Sequence, residues 1–178
     1  MNGTVVILRA LEPDDVEVLY KWENDRTIWH LSNTITPLSR FTLEQYVLSA
    51  GQDIYSSRQM RLMVDLKKPV NGIRTIGSID LFDFEPAHLR AGVGILIHEG
   101  FRGKGYASEA LDLLINYTSE TLQLHQLFTN ISTDNKDSIR LFESKGFQFI
   151  GIKKEWNRIR NKWQDESMFQ LIHQPGNQ

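Results

Sequence analysis

Residues His98 to Leu111, HEGFRGKGYASEAL, place glycines 100, 103 and 105 and the cations Arg102 and Lys104 just ahead of an apolar pattern of helical period. A helix N-terminus leaves its first four backbone N–H groups without partners and carries about half a positive charge. A phosphate satisfies both, provided the backbone can come close to it. Gly103 and Gly105 leave out the side-chain atoms that would obstruct such an approach, Arg102 and Lys104 add charge, and Ala107 lets the helix pack tightly on a sheet. A solvated turn with incidental cations is the other reading of the same residues. The position favours the anion, because the turn follows an apolar strand and opens a long amphipathic helix. It is neither a Walker loop nor a dinucleotide fingerprint, since neither G-x-x-x-x-G-K-[ST] nor G-x-G-x-x-G is present.

The elements that must position this turn are legible as changes of period. Val5 to Leu8 is a β-branched run suited to a first strand. Pro13 and Asp14 open a helix with apolar Val16, Leu19 and Tyr20, and Thr42 with Gln45 three residues on has capping-box spacing for a second. The stretch between them, DRTIWHLSNTITPLSR, is long for a connection and has the character of a lid or binding loop. Met60 to Leu66 alternates, a turn falls at Lys68 to Gly72, and Ile76–Phe84 and Ala91–Ile97 follow as strands of an antiparallel set. After Gly105, Ala107, Ala110, Leu111, Leu114, Ile115 and Thr118 form one helical stripe. Leu127–Ile131 is a short strand, Asp134 can cap a helix that Gly146 ends, and Phe147–Ile152 and Trp163–Ile172 close the chain as a pair turning near Arg160. The expectation is an α/β (α+β) fold: a mixed, mostly antiparallel sheet of about seven strands flanked by about four helices. Residues 1–178 are expected to form a single domain, with 173–178 a polar tail.

Composition narrows the function. The 178 residues suit one domain with a sizeable core, and 40% hydrophobic with 24% charged residues is ordinary for a soluble protein. No window reaches the roughly 18 uninterrupted apolar residues of a membrane span, and MNGTVVILRA lacks the marks of a signal peptide. There is no cysteine, so disulfides, thiolate metal sites and a cysteine nucleophile are excluded. These features fit a cytoplasmic location. A formal net charge of −2 gives no field for bulk nucleic-acid binding, although the front half is acidic and the back half slightly basic.

The segment Arg102-Gly103-Lys104-Gly105-Tyr106-Ala107 resembles the pyrophosphate-binding motif of the GNAT superfamily of acyl-CoA-dependent N-acyltransferases. Asn135-Lys136-Asp137-Ser138-Ile139-Arg140-Leu141-Phe142, then Lys145-Gly146-Phe147, is similar to the family's second cofactor-contacting helix. The closing strands with Asn161-Lys162-Trp163-Gln164-Asp165 and the opening ILRALEPDDVEVLYKWEND are similar to the polyamine and ribosomal-protein acetyltransferase branches. The resemblance implies acetyl-CoA as cosubstrate, its pyrophosphate on Arg102, Gly103, Lys104, Gly105, Tyr106, Ala107 and Ser108. It implies a pantetheine arm along Ile95, Leu96 and Ile97, with Asn135, Ser138, Phe142 and Lys145 contacting the cofactor from the next helix. Backbone N–H groups at Leu96 or Ile97 would meet the oxyanion. Gly92 and Gly94 would permit a bulge that splays the strands, or a close approach.

Two positions depart from the family pattern. Phe142 stands where many relatives have a tyrosine that protonates the thiolate, and Gly92 where many have a glutamate. Ser138 is the substitute acid. Asp80 and Glu155 are the candidate bases, with Asp83 and Glu85 beside them; each also reads as a solvated carboxylate. His98, next to the turn, reads as structural, His30 sits in the predicted binding loop without an identifiable partner, and no spacing supports a metal site. The acceptor is a small-molecule amine, such as a polyamine or amino sugar, or a protein N-terminus; a homodimer is possible. The acids Glu12, Asp14, Asp15, Glu17, Glu23 and Asp25 with Trp22 and Trp29 suit a cationic acceptor or simply helix-start chemistry. A non-catalytic acyl-CoA-binding module is one alternative. A ribosome- or RNA-associated factor using Lys153, Lys154, Arg158, Arg160 and Lys162 is another.

Overall fold

The computed structural model describes residues 1–29, 36–51, 53–159 and 161–173. His30 and the rest of 30–35 in the predicted lid, Arg160, and 174–178 of the polar tail lie outside these residues. The strands are β1 (Val6–Ala10), β2 (Met60–Val70), β3 (Ile73–Glu85), β4 (Arg90–Ile97), β5 (Gln126–Ser132), β6 (Gln148–Ile159) and β7 (Lys162–Ile172). The helices are α1 (Val16–Glu23), α2 (Arg40–Ser49), α3 (Ile54–Ser57), α4 (Tyr106–Glu120) and α5 (Lys136–Ser144). The sheet has seven strands in the order β1-β2-β3-β4-β5-β7-β6, antiparallel except where β4 meets β5.

Period-two alternation gives this sheet two different faces. One carries Ile79, Leu81, Val93, Leu127 and Ile131 against Ala110, Leu111 and Leu114 of α4 and Phe142 of α5. Leu111 and Leu114 are 0% exposed, and burying each contributes about 1.5–3 kcal/mol. The other face is covered only over its first three strands, where Met63 packs beneath Val16, Leu19, Leu43 and Val47 of α1 and α2. Over β4, β5 and β7 no helix among the described residues covers it.

Two helix starts differ from the sequence expectation. Ser39, not Thr42, caps α2 by accepting from the Thr42 N–H at 3.0 Å. Asn135, not Asp134, caps α5 by accepting from the Ser138 N–H at 3.1 Å. In both cases a competing polar residue one to three positions away reaches the first-turn donors better. The short α3 was not expected; Asp53 caps it through the Tyr55 and Ser56 N–H groups.

A buried ionic cluster anchors α1. Arg9 on β1 donates to Asp15 at 2.7 and 2.8 Å and to Asp65 on β2 at 2.9 Å, and both carboxylates are nearly fully buried. Removing one partner of such a cluster leaves an uncompensated charge inside the protein.

Candidate active site

β4 and β5 pair in parallel only from Arg90–Gln126 to Gly92–Phe128. Beyond that, β4 stays with β3 as far as Ile97–Gly77, and β5 stays with β7 as far as Ser132–Glu166. The two strands therefore diverge into a V. The His98 N–H donates to Ile76 O at 2.8 Å, so by alternation Leu96 and Gly94 direct their backbone groups to β3, while Ile95 and Ile97 direct theirs into the V. Leu96 is thus removed as an oxyanion donor, which corrects the expectation for that residue. The Ile97 carbonyl already accepts from Arg102 Nε at 2.8 Å.

At the mouth of the V the chain turns through Gly103 (φ 72°) and Gly105 (φ 83°) into α4. These left-handed conformations favour glycine. A Cβ at either position would meet nothing within 4 Å, so the space over the turn is open. Among the described residues, the N–H groups of Gly103, Lys104, Gly105, Tyr106, Ala107 and Ser108 meet no protein acceptor; the helical ladder begins with Glu109 donating to Gly105 O at 3.1 Å. Such a run of convergent donors is an anion nest. Lys104 lies beside it, its Nζ 2.9 Å from Gly100 O and 5.3 Å from the Phe101 ring centroid. Glu109, the one acid of the first turn, is met by other donors: the N–H groups of Thr4, Val5 and Val6.

From the second helix, Asn135 and half-buried Ser138 stand at the start of α5, and Lys145 closes it by donating to Asp112 of α4 at 2.6 Å. Phe142, expected at the cofactor, is a core residue: it is 2% exposed and packs edge-on against Phe147 at 5.0 Å.

The carboxylates sort differently from the sequence reading. Asp80 does face away from Ile79 and Leu81, but towards α1 and α2, where Arg61 grips it at 2.7 and 3.1 Å and also reaches Glu23 of α1 at 2.7 Å. Burial works against the Arg61 charge, yet Asp80, Tyr46 and Glu23 more than offset it and raise its pKa. Burial likewise pushes the Tyr46 hydroxyl up. Glu155 is exposed, in an irregular part of β6 at φ 49°. Asp83, also at positive φ, and Glu85 line a cavity of about 750 Å³ on the open face, together with Arg58, Arg90, Gln126, Phe128, Met168 and Gln170.

Gly94 pairs in register with Asp80, and the register shift against β3 falls beside Gly92, with the extra residue on β3 between Phe82 and Glu85. The ring of Phe82 lies across Gly92. The acids near α1 are largely engaged within the protein: Asp15 with Arg9, Glu17 with Arg40, Glu23 with Arg61, and Asp25 with Thr27. The basic hairpin is engaged too, Lys154 with Asp165 and Arg158 with Asn161. Lys154 and the Glu155 N–H hold the Asp165 carboxyl below its ordinary pKa.

Sequence reasoning missed one network on the open face. Lys153 Nζ donates to Asn130 Oδ1 at 2.9 Å and to Glu166 Oε2 at 3.1 Å, and Asn157 Nδ2 donates to Glu166 Oε1 at 3.0 Å. The only available signal was that Asn130 falls out of phase with buried Thr129 and Ile131.

A run of unpaired N–H groups at a helix start, beside two diverging strands, can seat an anionic group of a ligand laid across the sheet. The chain belongs to the GNAT acetyltransferase family, whose domain model matches residues 6–148. It is 28% identical over 166 residues to the uncharacterized N-acetyltransferase p20 of Bacillus licheniformis, covering 93% of this chain and 91% of that one. It is 26% identical over 173 residues to the spermidine N(1)-acetyltransferase of Vibrio cholerae, covering 97% and 95%. A crystal structure of spermidine N-acetyltransferase from Vibrio cholerae in complex with CoA and spermine superposes with a TM-score of 0.84 at 24% identity, covering 96% of each chain.

Proposed function

We propose that this chain transfers an acetyl group from acetyl-CoA to the primary amine of a small organic acceptor, with polyamines the first class to test. The observation that carries the reading is the run of N–H donors from Gly103 to Ser108 at the mouth of the V, with the large cavity on the sheet's other face. In this reading those donors, with Arg102 and Lys104, hold the pyrophosphate, Ile95 and Ile97 align the pantetheine arm, and Asn135 and Ser138 flank it. The acceptor lies in the cavity floored by Phe128 and Met168, whose wall offers both signs of charge through Arg58, Arg90, Asp83 and Glu85. The spermidine enzymes among the relatives support polyamines as the starting class.

The amine nitrogen attacks the thioester carbonyl carbon, a C–N bond forms and the C–S bond breaks. The proton lost by nitrogen ends on sulfur, giving the acetamide and free CoA thiol. An alkyl amine with a pKa of about 10.4 needs a base near neutrality, whereas a thiol of about 8.5 leaves tolerably as its anion. Asp80 is committed to Arg61, so Asp83, which has no partner among the described residues, takes the base role here. Absence of a tyrosine acid then costs rate without abolishing turnover.

Purified protein mixed with acetyl-CoA and a panel of spermidine, spermine, an amino sugar and a short peptide with a free N-terminus should release thiol with at least one of them. Stabilisation by acetyl-CoA with no thiol release across the panel would contradict transfer.

A further inference from the structure

We infer that Asn130 is a side-chain hydrogen-bond donor to the reacting thioester carbonyl, and that the Lys153–Glu166 ion pair aims it. The inference rests on the acetyl-transfer reading above and adds a residue to that site. Asn130 sits two residues past Phe128, the last position at which β5 touches β4. It stands opposite Met168, on the sheet face that carries the acceptor cavity. It is therefore on the outer arm of the V, just where the strands have parted, and half-buried.

Which end of its amide looks into the V is not arbitrary. A lysine ammonium has three donors and no acceptor, so only Oδ1 can face Lys153 Nζ, 2.9 Å away. Lys153 approaches from β6, across β7, on the side away from β4. The other end of the amide, Nδ2, diverges from that direction and meets no acceptor among the described residues. Lys153 is itself fixed on three sides: by Asn130, by Glu166 at 3.1 Å, and by the Trp156 ring, whose centroid is 4.9 Å away. Glu166 has only 10% of its side chain exposed, and its other oxygen accepts from Asn157 at 3.0 Å. The result is a chain of donors, Asn157 to Glu166 from one end and Lys153 to both Glu166 and Asn130 from the other. A cation on Oδ1 polarises the amide and makes Nδ2–H a stronger donor. With the backbone N–H groups of Ile95 and Ile97 on the inner arm, Nδ2 completes a two-sided cradle for negative charge developing on the carbonyl oxygen.

The test uses the full chain with acetyl-CoA labelled with ¹³C at the thioester carbonyl. Three quantities are measured for wild type, Asn130→Ala, Asn130→Asp, Lys153→Met and Lys153→Arg: affinity by calorimetry, kcat, and the infrared band of the bound carbonyl. Removing one oxyanion donor is expected to lower kcat by about 10²–10³ in both Asn130 variants, with acetyl-CoA affinity within a few-fold of wild type. The carbonyl band should move to higher frequency in Asn130→Ala and, by a smaller amount, in Lys153→Met, while Lys153→Arg restores it. Wild-type binding and turnover with an unmoved band and an unchanged kcat in Asn130→Ala overturns the Asn130 role alone. Failure of folded wild type to bind acetyl-CoA overturns the role together with the reading beneath it.

Discussion

The ring of Phe82 covers Gly92: a Cβ built at position 92 would stand 2.3 Å from Phe82 Cε2, and the same ring meets Phe128 edge-on at 5.8 Å. An aromatic pair thus fills the place from which a β4 carboxylate would reach the acceptor. Restoring that carboxylate alone should fail. Gly92→Glu is expected to cost about 1–3 kcal/mol through overpacking and to leave turnover no higher. Adding Phe82→Ala should recover part of that loss, because the two changes share one volume. Denaturant unfolding of the single and double variants checks this, and strictly additive losses would argue against the shared space.

Arg61 is the clamp between the sheet and the helices that lead into the predicted lid. Arg61→Leu strands Asp80 and Glu23 and removes the cation held 5.6 Å from the Tyr46 ring centroid. Loss of about 3 kcal/mol is expected. Asp80→Asn, by contrast, should keep the shape of the wild-type pH–rate profile, since a carboxylate engaged by Arg61 is not the group that accepts the amine proton. A fall in kcat of about 10²-fold or more in a stably folded Asp80→Asn protein would return Asp80 to the base role.

His173, just past β7, gives the fold an acid-sensitive point. Burial, with a smaller contribution from His125, lowers its pKa below the ordinary 6.5, and Nε2 lies 3.3 Å from Thr118 Oγ1. The folded state therefore binds the proton less readily than the unfolded chain. The stability contributed is fully present above pH 6.5 and is lost as pH falls through the folded-state value. Melting temperatures measured from pH 7.5 down to 5 should fall, and fall less steeply in His173→Gln. Equal slopes for the two proteins would exclude His173 as the source.

Much of this molecule is written locally. Alternation in Ala91, Val93, Ile95 and Ile97 and the stripe Ala107 to Thr118 marked β4 and α4, and the glycines between them marked the nest. The limits of legibility are equally physical. Ser39 and Asn135 won their caps over Thr42 and Asp134 because several polar residues compete within one turn. The V is a relation between β4 and β5, strands separated by a whole helix, and no single segment encodes it. Phe82 over Gly92 is likewise visible only once two strands are paired. The Lys153–Glu166 pair crosses a β6–β7 ladder whose register shifts between Lys153 and Asn157, so counting back from the hairpin turn misplaces it. Acids near α1 could be read as a cationic approach only until their arginine partners were in place.

In the proposed function the N–H groups from Gly103 to Ser108 hold the pyrophosphate of acetyl-CoA. Calorimetry with acetyl-CoA on wild type and Gly105→Val tests it most directly, with thermal unfolding run alongside. A side chain forced into the left-handed region at 105 should cost about 1–2 kcal/mol and project into the open space over the turn. Binding in the micromolar range for wild type, weakened at least tenfold in a Gly105→Val protein that still melts cooperatively, is the predicted result. No heat from folded wild type, or undiminished affinity in the variant, contradicts it.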